Sequence, residues 1–339
     1  MNKISILVIG SNSFSGSHFV NEALLAGHEV WGVSRSPELD KVFLPYRWSI
    51  SSSDSIATKE NFHFNIIDLN TQLQNLLDLI NHVRPSVIVN FAAQGMVAES
   101  WQNPTDWYQT NVVSQVALHD ALRHMKFLDK YVHVTTPEVY GSTDEGWLAE
   151  NYNFAPSTPY AVSRAACDLH LLSFYKAYDF PVIFTRAANV YGPGQQLYRI
   201  IPRAILSART GTPLPLHGGG YSERCFIHIR DAMQATLNLA FNAEAGSTWH
   251  LSTKNPISIR SLVQKIADYC GADFNDFVED TGERLGKDQS YLLDSSSIRR
   301  RFSWSDKISL DDGLLESIAW VDNHLDKLKS LPWTYQHKS

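Results

Sequence analysis

The feature that most constrains this chain is a glycine-bounded turn between its first strand and its first helix. Residues 4–9 form a β-branched run typical of a buried strand, and apolar residues recur at helical spacing over 15–26. Between them, Gly10 and Gly16 let the backbone turn tightly and approach a phosphate group, while the helix N-terminus presents free N–H groups. Ser13 stands where such turns usually have a middle glycine. The turn predicts a dinucleotide-binding site, and an ordinary strand-to-helix turn is the alternative.

Most of the first 190 residues alternate between strand and helix patterns. Short apolar runs predict further strands at residues 30–33, 62–66, 87–91, 131–135 and 182–185. Helical patterns separate them at residues 71–82, 107–124 and 160–178. Strands that alternate with helices of this length form parallel sheets. We therefore expect an α/β fold with a doubly wound, Rossmann-type parallel sheet.

The pattern changes after about residue 190, where prolines and a run of three glycines break the chain into loops. Residues 226–240 and 248–251 indicate a late return to the sheet, and residues 258–270 and 309–325 predict helices. We infer a smaller, discontinuous C-terminal domain for the substrate.

The expected boundaries follow from this change of pattern. Residues 1–190 and 225–255 are assigned to the dinucleotide-binding domain, and residues 191–224 and 256–335 to the substrate-binding domain.

Composition excludes several classes of function. With 44% hydrophobic and 19% charged residues the 339-residue chain can bury a full core, and a net charge of −6 argues against nucleic-acid binding. The three cysteines form no pair or cluster that predicts a disulfide framework or a metal site. No apolar stretch is long enough to span a bilayer, and the first strand begins too early for a signal peptide. We expect a cytoplasmic protein without metal, nucleic-acid or membrane partners.

The end of the second predicted strand bears on the choice of dinucleotide. A site for NAD usually has an acidic residue there, which accepts a hydrogen bond from the ribose 2′-hydroxyl. This chain has Ser34 and Arg35 instead, and a guanidinium beside hydroxyls suits a 2′-phosphate. The sequence favours NADP, with NAD possible; the alternative is that Arg35 is a solvated loop residue.

Tyr160 and Arg164 lie near the start of a long predicted helix. They share one face of it, because residues four apart are neighbours on a helix. A tyrosine has an ordinary pKa of about 10 and needs a nearby cation to act as a base at neutral pH. Thr136 and Glu138 lie just after a predicted strand, at the sheet edge where α/β proteins bind ligands.

With these motifs in view, the chain resembles the extended short-chain dehydrogenases/reductases of the NAD-dependent nucleotide-sugar epimerase and dehydratase family. Within that family it is most similar to the sugar-nucleotide 4,6-dehydratases. The resemblance runs from residue 4 to about residue 320 and includes segments 90–94, 189–193, 224–228 and 284–286.

The resemblance implies a role for each matching residue. Thr136, Glu138, Tyr160 and Arg164 would be the catalytic group, with Tyr160 as the base at carbon 4 and Glu138 as the base at carbon 5. The cofactor would contact Gly10, Asn12, Ser13, Phe14, Gly16, Ser34, Arg35, Asp68, Leu69, Ala92, Ala93, Gln94, Asn111, Tyr160 and Arg164. The nucleotide-activated hexose would contact Asn189, Arg199, Arg224 and Arg284.

The implied reaction oxidises carbon 4, eliminates water across carbons 5 and 6, and returns the hydride to carbon 6. Two residues of the catalytic region depart from the family pattern. Pro137 stands where the dTDP-glucose enzymes have an aspartate that protonates the departing hydroxyl, so water, Thr136 or Glu138 would have to supply that proton. Arg164 stands where the family has lysine, and the two cations are not equivalent at a tight site.

Two other functions remain open on sequence alone. A nucleotide-sugar 4-epimerase would share the fold, Thr136 and Tyr160 but would not need Glu138. A non-catalytic dinucleotide-binding sensor would explain Pro137 and Arg164 as marks of lost activity. The resemblance also implies a homodimer formed through helices such as 107–124 and 160–178.

Overall fold

The fold is that of a computed structural model, which describes residues 3–48, 60–142, 146–282 and 292–338. The strands are β1 (Ser5–Ile9), β2 (Glu29–Ser34), β3 (Phe62–Ile66), β4 (Val87–Asn90), β5 (Lys130–Thr135), β6 (Trp147–Leu148), β7 (Val182–Ala187), β8 (Asn189–Tyr191), β9 (Leu214–His217), β10 (Glu223–His228), β11 (Thr248–Leu251), β12 (Pro256–Ser258), β13 (Val278–Thr281) and β14 (Leu292–Leu293). The helices are α1 (Phe14–Leu25), α2 (Leu73–Val83), α3 (Pro104–Tyr108), α4 (Ser114–Leu122), α5 (Pro159–Tyr178), α6 (Ile200–Thr210), α7 (Ile229–Asn242), α8 (Ile259–Cys270), α9 (Phe274–Phe277), α10 (Ser296–Phe302), α11 (Leu310–Asn323) and α12 (Leu325–Lys329).

In the described ranges the central sheet has seven parallel strands in the order β3-β2-β1-β4-β5-β7-β11. The central strand β1 pairs with β2 on one side and β4 on the other, so that Ile6 lies opposite both Val30 and Val87. The predicted Rossmann-type parallel sheet is therefore confirmed. Because the strand order reverses between β1 and β4, the loops that follow these strands diverge and leave a cleft at their carboxyl ends.

Burial on both faces explains why the central strands are almost continuously apolar. Side chains of β1 alternate between two hydrophobic cores: Ile6 and Val8 face one, and Leu7 and Ile9 face the other. Helix α7 packs against α1 on the first of these faces. A sheet covered by helices on both sides fixes its register strongly, and this holds the cleft-forming loops in place.

The expected return of the chain to the central sheet is only half correct. Strand β11 does join it, as the edge strand beside β7. Strand β10 instead forms a separate three-stranded sheet, parallel to β8 and antiparallel to β12. Apolar periodicity predicts that a segment is a strand but carries no information about its partner. A third hydrophobic core gathers α6, α8 and α11 beside this small sheet. The domain boundaries at 190, 225 and 255 remain a prediction.

The helix expected over residues 107–124 is not continuous. A five-residue π-helical turn, Gln109–Val113, separates α3 from α4. The wider turn carries Asn111, whose buried side chain accepts a hydrogen bond from the Gln94 N–H at 2.8 Å. Such turns occur mostly at functional sites, and here a contact with a distant segment accompanies the change of helix type.

None of the helices in the described ranges has both the length and the apolar character required to cross a lipid bilayer.

Candidate active site

A cavity of about 940 Å³ opens at the carboxyl ends of the central strands. It brings together many of the residues that the sequence predicted for the site, from both halves of the chain. Those that line it are Ser13, Phe14, Arg35, Ala93, Gln94, Thr136, Glu138, Tyr160, Arg164, Asn189, Arg199 and Arg224. The other predicted site residues within the described ranges are not part of this lining: Gly10, Asn12, Gly16, Ser34, Asp68, Leu69, Ala92 and Asn111. Arg284 lies outside the described residues.

The turn after β1 has the shape that a phosphate group requires. Gly10 adopts a φ of +83°, and a Cβ atom there would lie 2.8 Å from the backbone nitrogen of Ala92. A Cβ atom on Gly16 would lie 2.2 Å from the Gly10 carbonyl oxygen. Both glycines therefore allow close approaches that a side chain would block, and the N-terminus of α1 opens toward the cavity. These residues fit a dinucleotide.

Ser13, which replaces the expected middle glycine, has a local structural role. It is the N-cap of α1: its Oγ accepts a hydrogen bond from the Gly16 N–H at 3.0 Å and donates one to the Gly10 carbonyl at 2.7 Å. Serine is a favoured N-cap because it satisfies a backbone donor that the helix leaves unpaired. The departure from the glycine pattern thus stabilises the turn.

The loop after β2 is tied to the same turn. The Asn12 N–H donates to Ser34 Oγ at 2.9 Å, and the Asn12 side chain donates to the carbonyls of Ser36 and Pro37. Arg35 projects between these anchors into the cavity lining. Asn12 and Ser34 therefore act here by holding the loop that presents Arg35.

Hydrogen bonds and burial hold the segments after β3 and β4 in place. The Asp68 carboxylate accepts from the Asn70 N–H, and Leu69 is buried in the core of the sheet. The Asn111 side chain bonds both the N–H and the carbonyl of Gln94 and donates to Ser163 Oγ at 2.9 Å. Because Ser163 lies on α5, Asn111 links the loop after β4 to the helix that carries Tyr160.

The segment after β5 places a hydroxyl and a carboxylate at the cavity. Thr136 is the N-cap of a short 3₁₀ helix, Pro137–Tyr140, and its Oγ1 accepts from the Glu138 N–H at 3.4 Å. Proline suits the first position of such a helix because its N–H would have no intrahelical partner. Pro137 therefore stabilises the start of this helix, and the next residue, Glu138, lines the cavity.

Tyr160 lies in the first turn of α5, whose N-cap is Thr158. Its phenol is nearly buried and hydrogen-bonds the Thr136 side chain. Burial raises the pKa of Tyr160 above its usual value, the nearby Glu138 raises it further, and Arg164 and the Thr136 bond lower it. Arg164 does lower the pKa of the phenol, as expected. In the absence of ligands, however, burial and Glu138 raise that pKa by more than Arg164 lowers it.

Arg164 belongs to a buried group beneath the cavity that we call the charged floor: His133, Arg164, Asp168, Arg186 and His250. The Arg164 guanidinium donates to the backbone carbonyl of Val134 and lies 3.4 Å from His133 Nε2. Asp168 pairs with Arg186 at 2.8 Å, with both side chains fully buried.

The charged floor holds more positive than negative charge. Arg164 and Arg186 are cations, whereas Asp168 is its only carboxylate. Burial raises the pKa of Asp168, but Arg186, His133 and Arg164 together hold it below its usual value. Burial also lowers the pKa of His133, and it lowers that of His250 to about 3, so both imidazoles are neutral at pH 7.

The three predicted substrate residues within the described ranges also line this cavity. Asn189 begins β8, Arg199 precedes α6, and Arg224 is buried in β10, where its Nη1 donates to the Glu223 carbonyl at 2.7 Å. Two arginines in the lining of one cavity carry the kind of positive charge that a diphosphate requires.

Sequence reasoning missed one part of the cavity wall. Trp333, Thr334 and Tyr335, from the end of the chain, line it together with Arg203 and Tyr198. The only local signal for this segment is an alternation of aromatic and polar residues over 333–337, which is typical of an extended chain. It is weaker than the helical pattern that precedes it.

The comparisons with known proteins decide the family. The sequence model described as GDP-mannose 4,6 dehydratase matches residues 7–317. The chain belongs to this family. A dTDP-glucose 4,6-dehydratase of Streptomyces niveus is 32% identical over 93% of this chain and 92% of its own length. The predicted resemblance is therefore confirmed, and the protein is a nucleotide-sugar 4,6-dehydratase of the short-chain dehydrogenase/reductase type.

Solved structures agree with this assignment. The dTDP-glucose 4,6-dehydratase of Streptomyces venezuelae, solved with NAD bound, has a TM-score of 0.84 and 28% identity, and the alignment covers 96% of this dehydratase and 98% of that chain. A UDP-glucose 4-epimerase of Thermotoga maritima also has a TM-score of 0.84, with 22% identity over 95% of this chain and 100% of its own. At that identity the likeness concerns the fold alone.

Proposed function

We propose that Tyr160 and Glu138 perform the two proton transfers that open the 4,6-dehydration of a nucleotide-activated hexose. Tyr160, hydrogen-bonded to Thr136, receives the proton of the carbon 4 hydroxyl. When bound, a nicotinamide would supply the acceptor for the carbon 4 hydride and the donor of that hydride to carbon 6, and a proton from solvent would then complete carbon 5. The ketone at carbon 4 acidifies the carbon 5 proton, and Glu138 removes it. The observation that carries the proposal is the convergence of Thr136, Glu138 and Tyr160 on one cavity wall.

Because Pro137 has no proton to give, we infer that Glu138 serves both halves of the elimination. It takes the proton from carbon 5, the C5–C6 double bond forms, and the C6–O bond breaks. Glu138 then gives the same proton to the departing hydroxyl, which leaves as water. Supporting this role, Pro137 is fixed by the Thr136-capped turn, and Glu138 is the carboxylate of that turn.

We further infer that Asn189, Arg199 and Arg224, which line the same cavity, hold the diphosphate and nucleotide. Their support is their position in the same cavity and the charge of the two guanidinium groups. For Arg284 the support remains the resemblance of the sequence.

The direct test of the overall reaction is a panel of UDP-, dTDP-, GDP- and CDP-hexoses analysed by mass spectrometry. We expect one nucleotide class to lose the mass of one water. A product isomeric with its substrate would instead indicate an epimerase and would contradict the proposed role of Glu138.

We further propose that this dehydratase prefers NADP to NAD. The support is Arg35 in the cavity lining and the absence of an acidic residue at the end of β2. Arg35→Asp removes the guanidinium and adds a ribose-binding acid, so the ratio of the two dissociation constants should shift toward NAD by at least about tenfold. Arg301→Asp, at an exposed position outside the cavity lining, is the matched control. Equal affinities in the parent would contradict the preference.

The assembly and compartment remain proposals. Val162 and Leu169 are exposed and lie two turns apart on one face of α5, and this apolar face supports a homodimer. We expect Leu169→Arg to shift the molecular mass in light scattering from dimer to monomer. The unpaired Cys167, Cys225 and Cys270 support a reducing compartment, the cytoplasm.

A further inference from the structure

The end of the chain runs in an extended form along the cavity. Over residues 331–338 burial alternates: Leu331, Trp333, Tyr335 and His337 are partly buried, and the residues between them are exposed. This two-residue period is that of an extended segment with one face against the protein. We call residues 332–338 the C-terminal strap. It lies beyond the residues that the family sequence model matches.

One end of the strap is attached to the substrate-binding side. Arg203, on α6, lies over the Trp333 ring at 4.9 Å and contacts its carbonyl. The Trp333 indole N–H donates to the Leu328 carbonyl at 2.9 Å. Since Trp333 also packs on the core formed by α6, α8 and α11, this end is held firmly.

The other end is attached to the cofactor side. His337 stacks on Trp107 with ring centroids 5.0 Å apart and an angle of 9°, and its Nε2 lies 2.7 Å from Asp106 Oδ2. The Gln94 side chain donates to the Lys338 carbonyl at 2.6 Å, and Tyr335 lies 3.5 Å from the same amide. The strap thus contacts the loop after β4 and helix α3.

Between these two ends the strap forms part of the cavity wall. Trp333, Thr334 and Tyr335 line the cavity, and the Tyr335 ring lies 5.4 Å from that of Tyr198. Burial raises the pKa of the Tyr335 hydroxyl, and the charges of Arg35, from the loop after β2, and Arg199, which precedes α6, lower it. Tyr335 therefore lies where the two halves of the site meet.

We propose that the C-terminal strap closes over the bound dinucleotide and retains it, with Tyr335 as a wall of its site. A dinucleotide leaving the cleft would have to pass a segment attached on both sides. Retention suits this reaction, because the hydride taken from carbon 4 returns to the same sugar and the cofactor is not consumed. The inference holds whichever of NAD and NADP fills the site, and it does not depend on the roles proposed for Glu138 or Arg35.

The rate at which reduced cofactor leaves the holoenzyme tests this proposal. The enzyme loaded with NADH or NADPH is mixed with a large excess of the oxidised form, and the loss of cofactor fluorescence is followed. Ending the chain after Trp333 keeps the indole packing but removes the attachment to Gln94, Asp106 and Trp107. We expect dissociation to become at least about tenfold faster, equivalent to ~1.4 kcal/mol. His337→Ala should accelerate it by a smaller factor.

Gln336→Ala is the matched control, because this side chain is exposed on the outer face of the strap; its dissociation rate should equal that of the parent. If the shortened chain melts well below the parent, the test rests on His337→Ala, which must by itself release the reduced cofactor faster than the parent. An unchanged rate in the variants would overturn the proposal. Slower release or tighter binding after shortening would also overturn it, because the strap would then compete with the cofactor for the cleft.

Discussion

The phosphate-binding turn, residues 10–16, and the charged floor each contain a residue that departs from the family pattern, and they accommodate it differently. In the turn, Ser13 bonds a backbone donor and a backbone acceptor within its own segment. In the floor, the Nε atoms of Arg164 and Arg186 are buried and have no hydrogen-bond partner in the described part of the chain. A substitution in the turn can be stabilised by hydrogen bonds within the same segment. A substitution of a buried cation cannot, because its partners come from distant segments.

The largest effect should come from the floor, at Arg164. Arg164→Ala removes the cation that lowers the pKa of Tyr160 and leaves burial and Glu138 unopposed. We expect reduction of the bound nicotinamide, measured in a single turnover, to slow by at least about a hundredfold.

Arg164→Lys, which restores the usual family residue, is the matched comparison and should keep or raise the parent rate. Parent-like turnover in Arg164→Ala would mean that the charged floor has no effect on Tyr160. The difference between the floor and the turn would then have no consequence for catalysis.

Acid should destabilise the fold through its buried histidines, among them His250 of the charged floor. His250, bonded to the Tyr140 hydroxyl at 2.8 Å, has a folded-state pKa of about 3 because it is buried, whereas the unfolded chain has an ordinary histidine pKa of about 6.5. Between these values the unfolded state binds more protons. The free energy of unfolding therefore falls as pH falls through this window, by up to about 1.4 kcal/mol per pH unit for this histidine.

Urea unfolding between pH 6.5 and 4 measures this slope. His250→Gln should reduce the slope by the contribution of one histidine, because buried His18 and His228, with pKa values lowered to about 4 and about 3, still contribute. His124→Gln, at an exposed position, should leave the slope unchanged. The same slope in His250→Gln as in the parent would show that the charge of His250 does not set the acid sensitivity.

The smallest effect should come from the turn, at Ser13. Ser13→Ala removes the N-cap of α1 and should lower the free energy of unfolding by about 1 kcal/mol. Ser13→Gly restores the usual glycine and should cost only a few tenths of that amount, with a cofactor dissociation constant close to the parent value. A loss of cofactor binding in Ser13→Gly would show that the serine contacts the cofactor itself.

The same distinction explains what the sequence could predict. The turn, the central strands and helix α5 follow from local signals: glycines at a fixed spacing, β-branched runs and helical periodicity. Thr136, Glu138 and Tyr160 could be placed together because parallel strands end at one edge of the sheet.

What the sequence could not predict depends on contacts between distant segments. The π-helical turn at Asn111 accompanies bonds to Gln94 and Ser163, which no local pattern reveals. Strand β10 joins β8, although its composition would suit the central sheet equally well. The position of Tyr335 depends on residues more than 200 positions earlier, including Gln94.

The central claim, that Glu138 performs the elimination on a sugar already oxidised through Tyr160, is tested most directly by Glu138→Gln. This change keeps the shape of the side chain and removes the base, so carbon 4 should still be oxidised while carbon 5 keeps its proton. Reduced cofactor and a 4-keto hexose should accumulate, deuterium from solvent should not enter carbon 5, and turnover should fall at least about a hundredfold. Tyr160→Phe should instead prevent even the first reduction of the cofactor. Water loss by Glu138→Gln at the parent rate would contradict the account.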